Sequence, residues 1–208
     1  MRRRAKRHLL RAPAATAGAA FAKPPELTWT DYLVLLLRIG AEIEHALMVE
    51  YLYAAYALGG DQVPEPHRPL VQRWQQTILT IAREEMGHLL TVQNLLCLLG
   101  APLCLERDDY PWDSPFYPFP FTLAPLSLDT LARFIYAEMP MRDQMPSDAE
   151  PWERRVYDEV ATRVRSEPGQ APMHHVAEIY GEIIGLLGDA QRIPDAAFLP
   201  HTYHRQAG

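Results

Sequence analysis

Two stretches of the chain, residues 27–58 and 70–99, each run for about 30 residues without a proline, and each carries glutamates inside a mostly apolar pattern. No other feature restricts the fold as strongly. A proline-free run of that length makes a helix of about 45 Å, and a carboxylate taken out of water inside it costs several kcal/mol unless a countercharge meets it. The first stretch, "LTWTDYLVLLLRIGAEIEHALMVEYLYAAYAL", is apolar almost all round and stops at Gly59-Gly60. The second starts behind Pro69, a favourable first-turn residue, and stops at Gly100. The two are expected to form an antiparallel helix pair.

Six prolines fall within residues 101–126, "APLCLERDDYPWDSPFYPFPFTLAPL", and that density forbids regular helix. The segment reads as an extended crossover joining two helix pairs. Its aromatic residues (Tyr110, Trp112, Phe116, Tyr117, Phe119 and Phe121) suit either a cover over a substrate entrance or a stiff strap laid on the helices. Ser127 is placed to cap a third helix, "LDTLARFIYAEM", halted at Pro140. "PWERRVYDEVATRVRS" is polar and amphipathic and reads as an outer helix, while residues 173–190, "MHHVAEIYGEIIGLLGDA", supply the fourth core helix. The expectation is an all-α four-helix bundle over residues 27–190. A disordered basic arm (1–26) precedes it and a tail without periodicity (191–208) follows.

Helical phase says where the acids point, since each residue advances the side chain by about 100°. Around Glu85 lie Trp74, Ile78, Ile81, His88, Leu89, Val92 and Leu96, so Glu85 and His88 share the most apolar stripe of their helix, while Glu84 faces away with Arg73 and Thr80. Glu44 is surrounded in the same way by Leu37, Gly40, Leu47, Met48 and Tyr51. Glu42 and His45 form a second Glu-x-x-His, but His45 lies with Arg38 and Tyr56, which suits a structural or solvated pair. Glu50 points away from Glu44. Glu138 shares a face with Leu131, Phe134 and Ile135, and the fourth helix carries Glu178 with His175 three residues before it and His174 four before it.

Several unpaired carboxylates in one apolar core would consume the roughly 5 to 15 kcal/mol by which a domain is stable, and basic partners are scarce on these faces. Two divalent ions would neutralise Glu44, Glu85, Glu138 and Glu178, with His88 and His175 (or His174) completing the coordination, as in the dinuclear carboxylate bundles built from a Glu and a Glu-x-x-His. Mixed oxygen and imidazole donors suit iron, with manganese or zinc as alternatives. Tyr51 either hydrogen-bonds a bound ligand, as a catalytic group, or only packs. The chemistry expected is oxidation of a small organic substrate with oxygen or peroxide. Iron storage and a metal-free interaction module are the competing readings.

Charge and cysteines narrow the partners. Six of the 20 basic residues precede residue 12, ahead of every acidic one, so the rest of the chain carries 14 basic against 26 acidic residues. Such a body repels nucleic acid. No run of 18 apolar residues is present, so no membrane span is expected. Cys97 and Cys104 without a Cys-x-x-Cys pattern fit a reduced, cytoplasmic setting. A homodimer is compatible with all of this.

Beyond residue-level reasoning, "AEIEHALMVEYLYAAYAL", "IAREEMGHLLTVQNLLCLLGAP", "YPWDSPFYPFPFTLAPLSLDTLARFIYAEMP" and "HVAEIYGEI", in that order, resemble the bacterial ferritin-like domain of iminophenyl-pyruvate dimer synthases of the violacein and chromopyrrolate pathways. The resemblance covers roughly residues 27–188. It implies a ferritin-like four-helix bundle with a central metal site and oxidative coupling of imines derived from aromatic amino acids. Carried over position by position, Glu44, Glu85, His88, Glu138 and Glu178 match its pattern.

Overall fold

The first long helix, α1 (Trp29–Ala57), opens with a reciprocal cap: the Thr28 hydroxyl accepts from the Asp31 backbone N–H while the Asp31 side chain accepts from that of Thr28. It ends at Leu58, where Gly59 and Gly60 follow with φ of 96° and 88°, values that only glycine adopts without strain. These coordinates come from a computed structural model, which describes residues 22–114, 116–117, 119–139, 145–165 and 176–199. The second helix, α2 (Arg68–Leu98), carries its proline in the first turn as expected. Gln75 near its start donates to the carbonyl of Ala55 near the end of α1 at 2.9 Å, and Glu85 and His88 halfway along face Glu44. The pair is therefore antiparallel.

The crossover is a strap fastened at several points by side chains of the helix pair. Buried Gln93 binds both backbone groups of Cys104, accepting from its N–H at 2.8 Å and donating to its carbonyl at 2.6 Å. The Tyr110 hydroxyl donates to the carbonyl of Ala46 at 2.7 Å, and Nδ1 of His45 lies 3.1 Å from the carbonyl of Leu105. Trp112 and Phe121 form an isolated antiparallel bridge, and Phe121 stacks on Trp112 and Tyr117 with ring centroids 4.4 and 4.2 Å apart. Tyr117, Phe119 and Phe121 are core residues. Of the two readings of this segment, the strap is the one that the packing bears out. Cys97 and Cys104 are both free thiols.

Glu50 belongs to this strap as well. It is 4% exposed and its carboxylate accepts from the backbone N–H of Thr122. Burial pushes its carboxyl up to about 8 from the ordinary 4.5, with the Thr122 hydrogen bond and the Arg133 charge acting the other way. A folded-state pKa above the unfolded value means that the stability contributed by the protonated group is intact below about pH 4.5 and is lost as pH rises to about 8. Glu50→Gln should therefore flatten the pH dependence of urea unfolding between pH 5 and 8, removing a slope of at most about 1.4 kcal/mol per pH unit. An unchanged slope would assign the titration elsewhere.

Ser127 caps α3 (Leu128–Glu138), its hydroxyl accepting from the N–H of Thr130. Helix α4 (Pro151–Arg165) lies on α3, burying Tyr157, Val160, Ala161 and Val164 and leaving Arg154, Arg155, Asp158 and Glu159 exposed, as its amphipathic pattern predicts. Helix α5 (Val176–Leu187) packs Val176, Ile179, Ile183 and Leu186 between α1 and α3. The described elements are therefore all helical, with α1, α2, α3 and α5 around the acids and α4 outside. Pro140, His174 and His175 lie outside the described residues. Past α5, Ile193 is buried, and Leu199 caps α2 by donating its N–H to the carbonyl of Leu98 at 2.6 Å. None of the described helices is long and apolar enough to cross a membrane.

Candidate metal centre

Glu44 from α1 and Glu85 from α2 are 1% and 3% exposed, and with His88 they bring one ligand atom each to within 4.8 Å of the others. Nδ1 of His88 lies 3.4 Å from Oε2 of Glu44 and 3.4 Å from Oε2 of Glu85. A charge-assisted N–H···O contact closes to about 2.7–2.9 Å when it is strong, so the imidazole makes only a long hydrogen bond to Glu85 and stands beside Glu44 without satisfying it. Oε2 of Glu44 is buried and has no hydrogen-bond partner among the described residues. Its other oxygen, Oε1, accepts the hydroxyl of Tyr180 from α5.

Glu138, at the last turn of α3, borders this group. Its Oε1 accepts the hydroxyl of buried Tyr51 at 2.9 Å, and the Tyr51 ring meets Phe134 edge-on at 4.6 Å. Tyr51 thus does more than pack: it ties the acid of α3 to α1. Glu178 sits half-buried in the first turn of α5, about 200° around that helix from Tyr180, and the described residues do not bring it into the group with Glu44, Glu85 and His88. The sequence expectation placed His88 among buried residues, but its side chain is 58% exposed. Trp74 and Ile81 on the same stripe are exposed as well, because α2 packs on α1 and leaves that flank of the stripe open. Glu84 is exposed as expected, and His45 is occupied by the strap.

The electrostatics state the same need. Burial, then the adjacent Glu44 carboxylate and the charges of Glu138 and Glu84, push the Glu85 carboxyl up to about 10. Contact with the Glu44 carboxylate raises His88 against the opposing effect of burial. Burial raises Glu138 too, with the Tyr51 hydrogen bond acting in the other direction. In the metal-free chain, burial and the neighbouring acids therefore favour the protonated form of the Glu85 carboxyl at neutral pH. Two carboxylates, one of them with an orphaned buried oxygen, and one imidazole are what a divalent cation with mixed oxygen and nitrogen donors needs, so the residues present fit such an ion.

A cavity of about 290 Å³ opens beside this group, between α1, α2 and α3. Ile78, Ile81, Leu131, Phe134, Ile135 and Met139 make its apolar walls, and Glu138 and Tyr51 are its polar groups. An apolar chamber with a few polar groups converging at one end is the usual form of a small-molecule site.

Tyr180 escaped the sequence reading because Glu178 drew attention to the other side of α5. The signal available was Gly40, a glycine inside a buried helix one turn before Glu44, which marks a close approach. Gln93 left no signal of its own, since one amide in an apolar helix says nothing of the backbone it will meet.

Residues 37–202 match the family model described as Ferritin-like. Among curated proteins, the chain is 36% identical over 137 residues to dichlorochromopyrrolate synthase of Lentzea aerocolonigenes, an alignment taking in 56% of this chain and 13% of that protein. It is 30% identical over 146 residues to 2-imino-3-(indol-3-yl)propanoate dimerase of Chromobacterium violaceum, covering 57% of this chain and 14% of that protein. The chain thus spans about one-seventh of the length of the curated relatives it matches. No solved structure matches it significantly.

Proposed function

Because the chain belongs to the ferritin-like family, we propose that it is a non-haem metal oxidoreductase acting on a small aromatic substrate derived from an amino acid. The observation that carries this reading is that buried Glu44 and Glu85, grouped with the exposed His88, adjoin an apolar cavity through Glu138 and Tyr51. The ligands proposed are Glu44, Glu85 and His88, with Glu138 beside them. Glu178 and His175 remain the donors for a second ion. Iron is the metal proposed, with manganese or zinc as alternatives of similar ligand preference. A bound redox metal would supply electron transfer with oxygen or peroxide. The names of the two relatives, one a synthase and one a dimerase of an indolyl imine, support an aromatic imine as the substrate class.

The chain's own groups then have distinct tasks. The apolar walls hold a ring and exclude water. Glu138, its orientation fixed by Tyr51, stands where a substrate N–H can donate to it and give up a proton. His88, half open to solvent, lies at the outer edge of the metal group.

The test is oxygen uptake by iron-loaded protein supplied with 2-imino-3-(indol-3-yl)propanoate. Substrate-dependent uptake is expected, and uptake no faster than with free iron would reject the reading. Ile81→Trp, which fills the cavity from its rim, should lower the rate at low substrate at least about tenfold, the scale of one mismatched apolar contact. Metal content measured on the same sample should stay at the wild-type level. A variant with unchanged kinetics would place the substrate outside this cavity.

A further inference from the structure

Two features on different helices fit one another around Glu44. Tyr180 of α5 donates its hydroxyl to Oε1. One turn earlier on α1, Gly40 is buried, and a Cβ placed there would stand 3.5 Å from the Tyr180 hydroxyl oxygen and 3.9 Å from Cζ of its ring, with nothing else described within 4 Å. The notch left by the missing side chain is occupied by the end of the phenol alone. The opposite oxygen of Glu44, Oε2, has no hydrogen-bond partner among the described residues and faces His88 at 3.4 Å. On α3 the division repeats, with Tyr51 taking Oε1 of Glu138 at 2.9 Å.

We propose that Tyr180, seated in the Gly40 notch, is a positioning residue that holds Glu44 so that Oε2 alone is presented to a cation. This rests on reading Glu44, Glu85 and His88 as a cation site. A carboxylate free to turn about its last torsion offers either oxygen, or both, to an ion. Once a phenol occupies one of them, a single oxygen is left at a fixed place. The ion then meets a preformed ligand, with the donor at Oε1 selecting one-oxygen coordination. Partners that orient ligands in this way typically carry about 10- to 100-fold in metal affinity. Gly40 is part of the device because a larger side chain would push the phenol off the carboxylate.

Cobalt(II) is the probe, since its visible absorption reports the geometry of its ligands. The metal-free full chain is titrated in four forms: wild type, Tyr180→Phe, Gly40→Val and Gly40→Ala. Wild type is expected to bind with a visible band. Tyr180→Phe should bind about 10- to 100-fold more weakly, with a band of altered shape and with the far-ultraviolet dichroism of wild type. Gly40→Val should behave like Tyr180→Phe although it keeps the hydroxyl. Gly40→Ala should behave like wild type, because 3.5 Å is ordinary contact for its Cβ. Should Tyr180→Phe lose helix content, the two Gly40 variants carry the comparison. Wild-type affinity and an unshifted band in Tyr180→Phe and Gly40→Val would overturn the role of Tyr180 while leaving the cation site intact. A wild-type chain that binds no cobalt at all would overturn the site itself and the positioning role with it.

Discussion

Glu85→Ala is expected to abolish metal binding. After loading with iron(II) and removal of the excess, the wild-type chain retains the metal, and the variant falls to the background of a metal-free control. The expectation follows from position. Glu85 is 3% exposed, faces Glu44 across the helix pair and has Nδ1 of His88 3.4 Å from its Oε2. Removing it leaves one carboxylate and one partly exposed imidazole in contact. Loss of a direct ligand should exceed the roughly 10- to 100-fold that outer partners carry. Glu85→Gln separates charge from volume: it should lose the metal as well, yet fold at least as well as the metal-free wild type, because it deletes a carboxyl that burial and neighbouring acids disfavour ionising. A Glu85→Ala chain with wild-type iron content would show that the ion sits elsewhere.

Metal loading should in turn stabilise the fold, and increasingly so as pH rises. Free ion at about 100 times its dissociation constant adds about 2.7 kcal/mol, which for a chain of this size is about 5–10 °C in Tm. The pH trend follows from Glu85, whose carboxyl is pushed up to about 10 from 4.5, first by burial. Because the folded-state pKa is the higher one, the stability that the protonated Glu85 contributes to the metal-free protein is fully present below about pH 4.5 and is lost as pH climbs toward about 10. A cation takes the place of that proton, so its binding strengthens over the same range. Thermal unfolding at pH 6, 7 and 8, with and without iron(II) under anaerobic conditions, should give a gap in Tm that widens with pH. Equal melting temperatures at all three values would contradict the assignment.

What could be read in the sequence and what could not divide along physical lines. Glu44, Glu85 and His88 were legible because helical phase is a local property: once a long helix is recognised, its stripe is fixed by the residue count. Glu138 was legible for the same reason, with Ser127 marking where its helix begins. The exposure of His88, Trp74 and Ile81 was not, because it depends on which flank of α2 a second helix covers, and periodicity carries no information about that. Tyr51 could be placed near Glu44, but its bond to Glu138 joins residues 87 positions apart, and no spacing rule reaches so far. Tyr180 was masked by Glu178, a more familiar ligand type on the same short helix. The crossover announced its lack of helix through its prolines. Its attachment through Gln93, Tyr110 and Glu50 arises only when the strap is laid on α1 and α2.

One cation is expected to answer the charges of Glu44 and Glu85 and to take a ring nitrogen of neutral His88. The most direct test is an anomalous difference map at the iron edge from crystals of iron-loaded protein. A peak in contact with carboxylate oxygens of Glu44 and Glu85 and a ring nitrogen of His88 is the predicted result. A map with no peak among these three residues, in protein that carries iron by elemental assay, would contradict it.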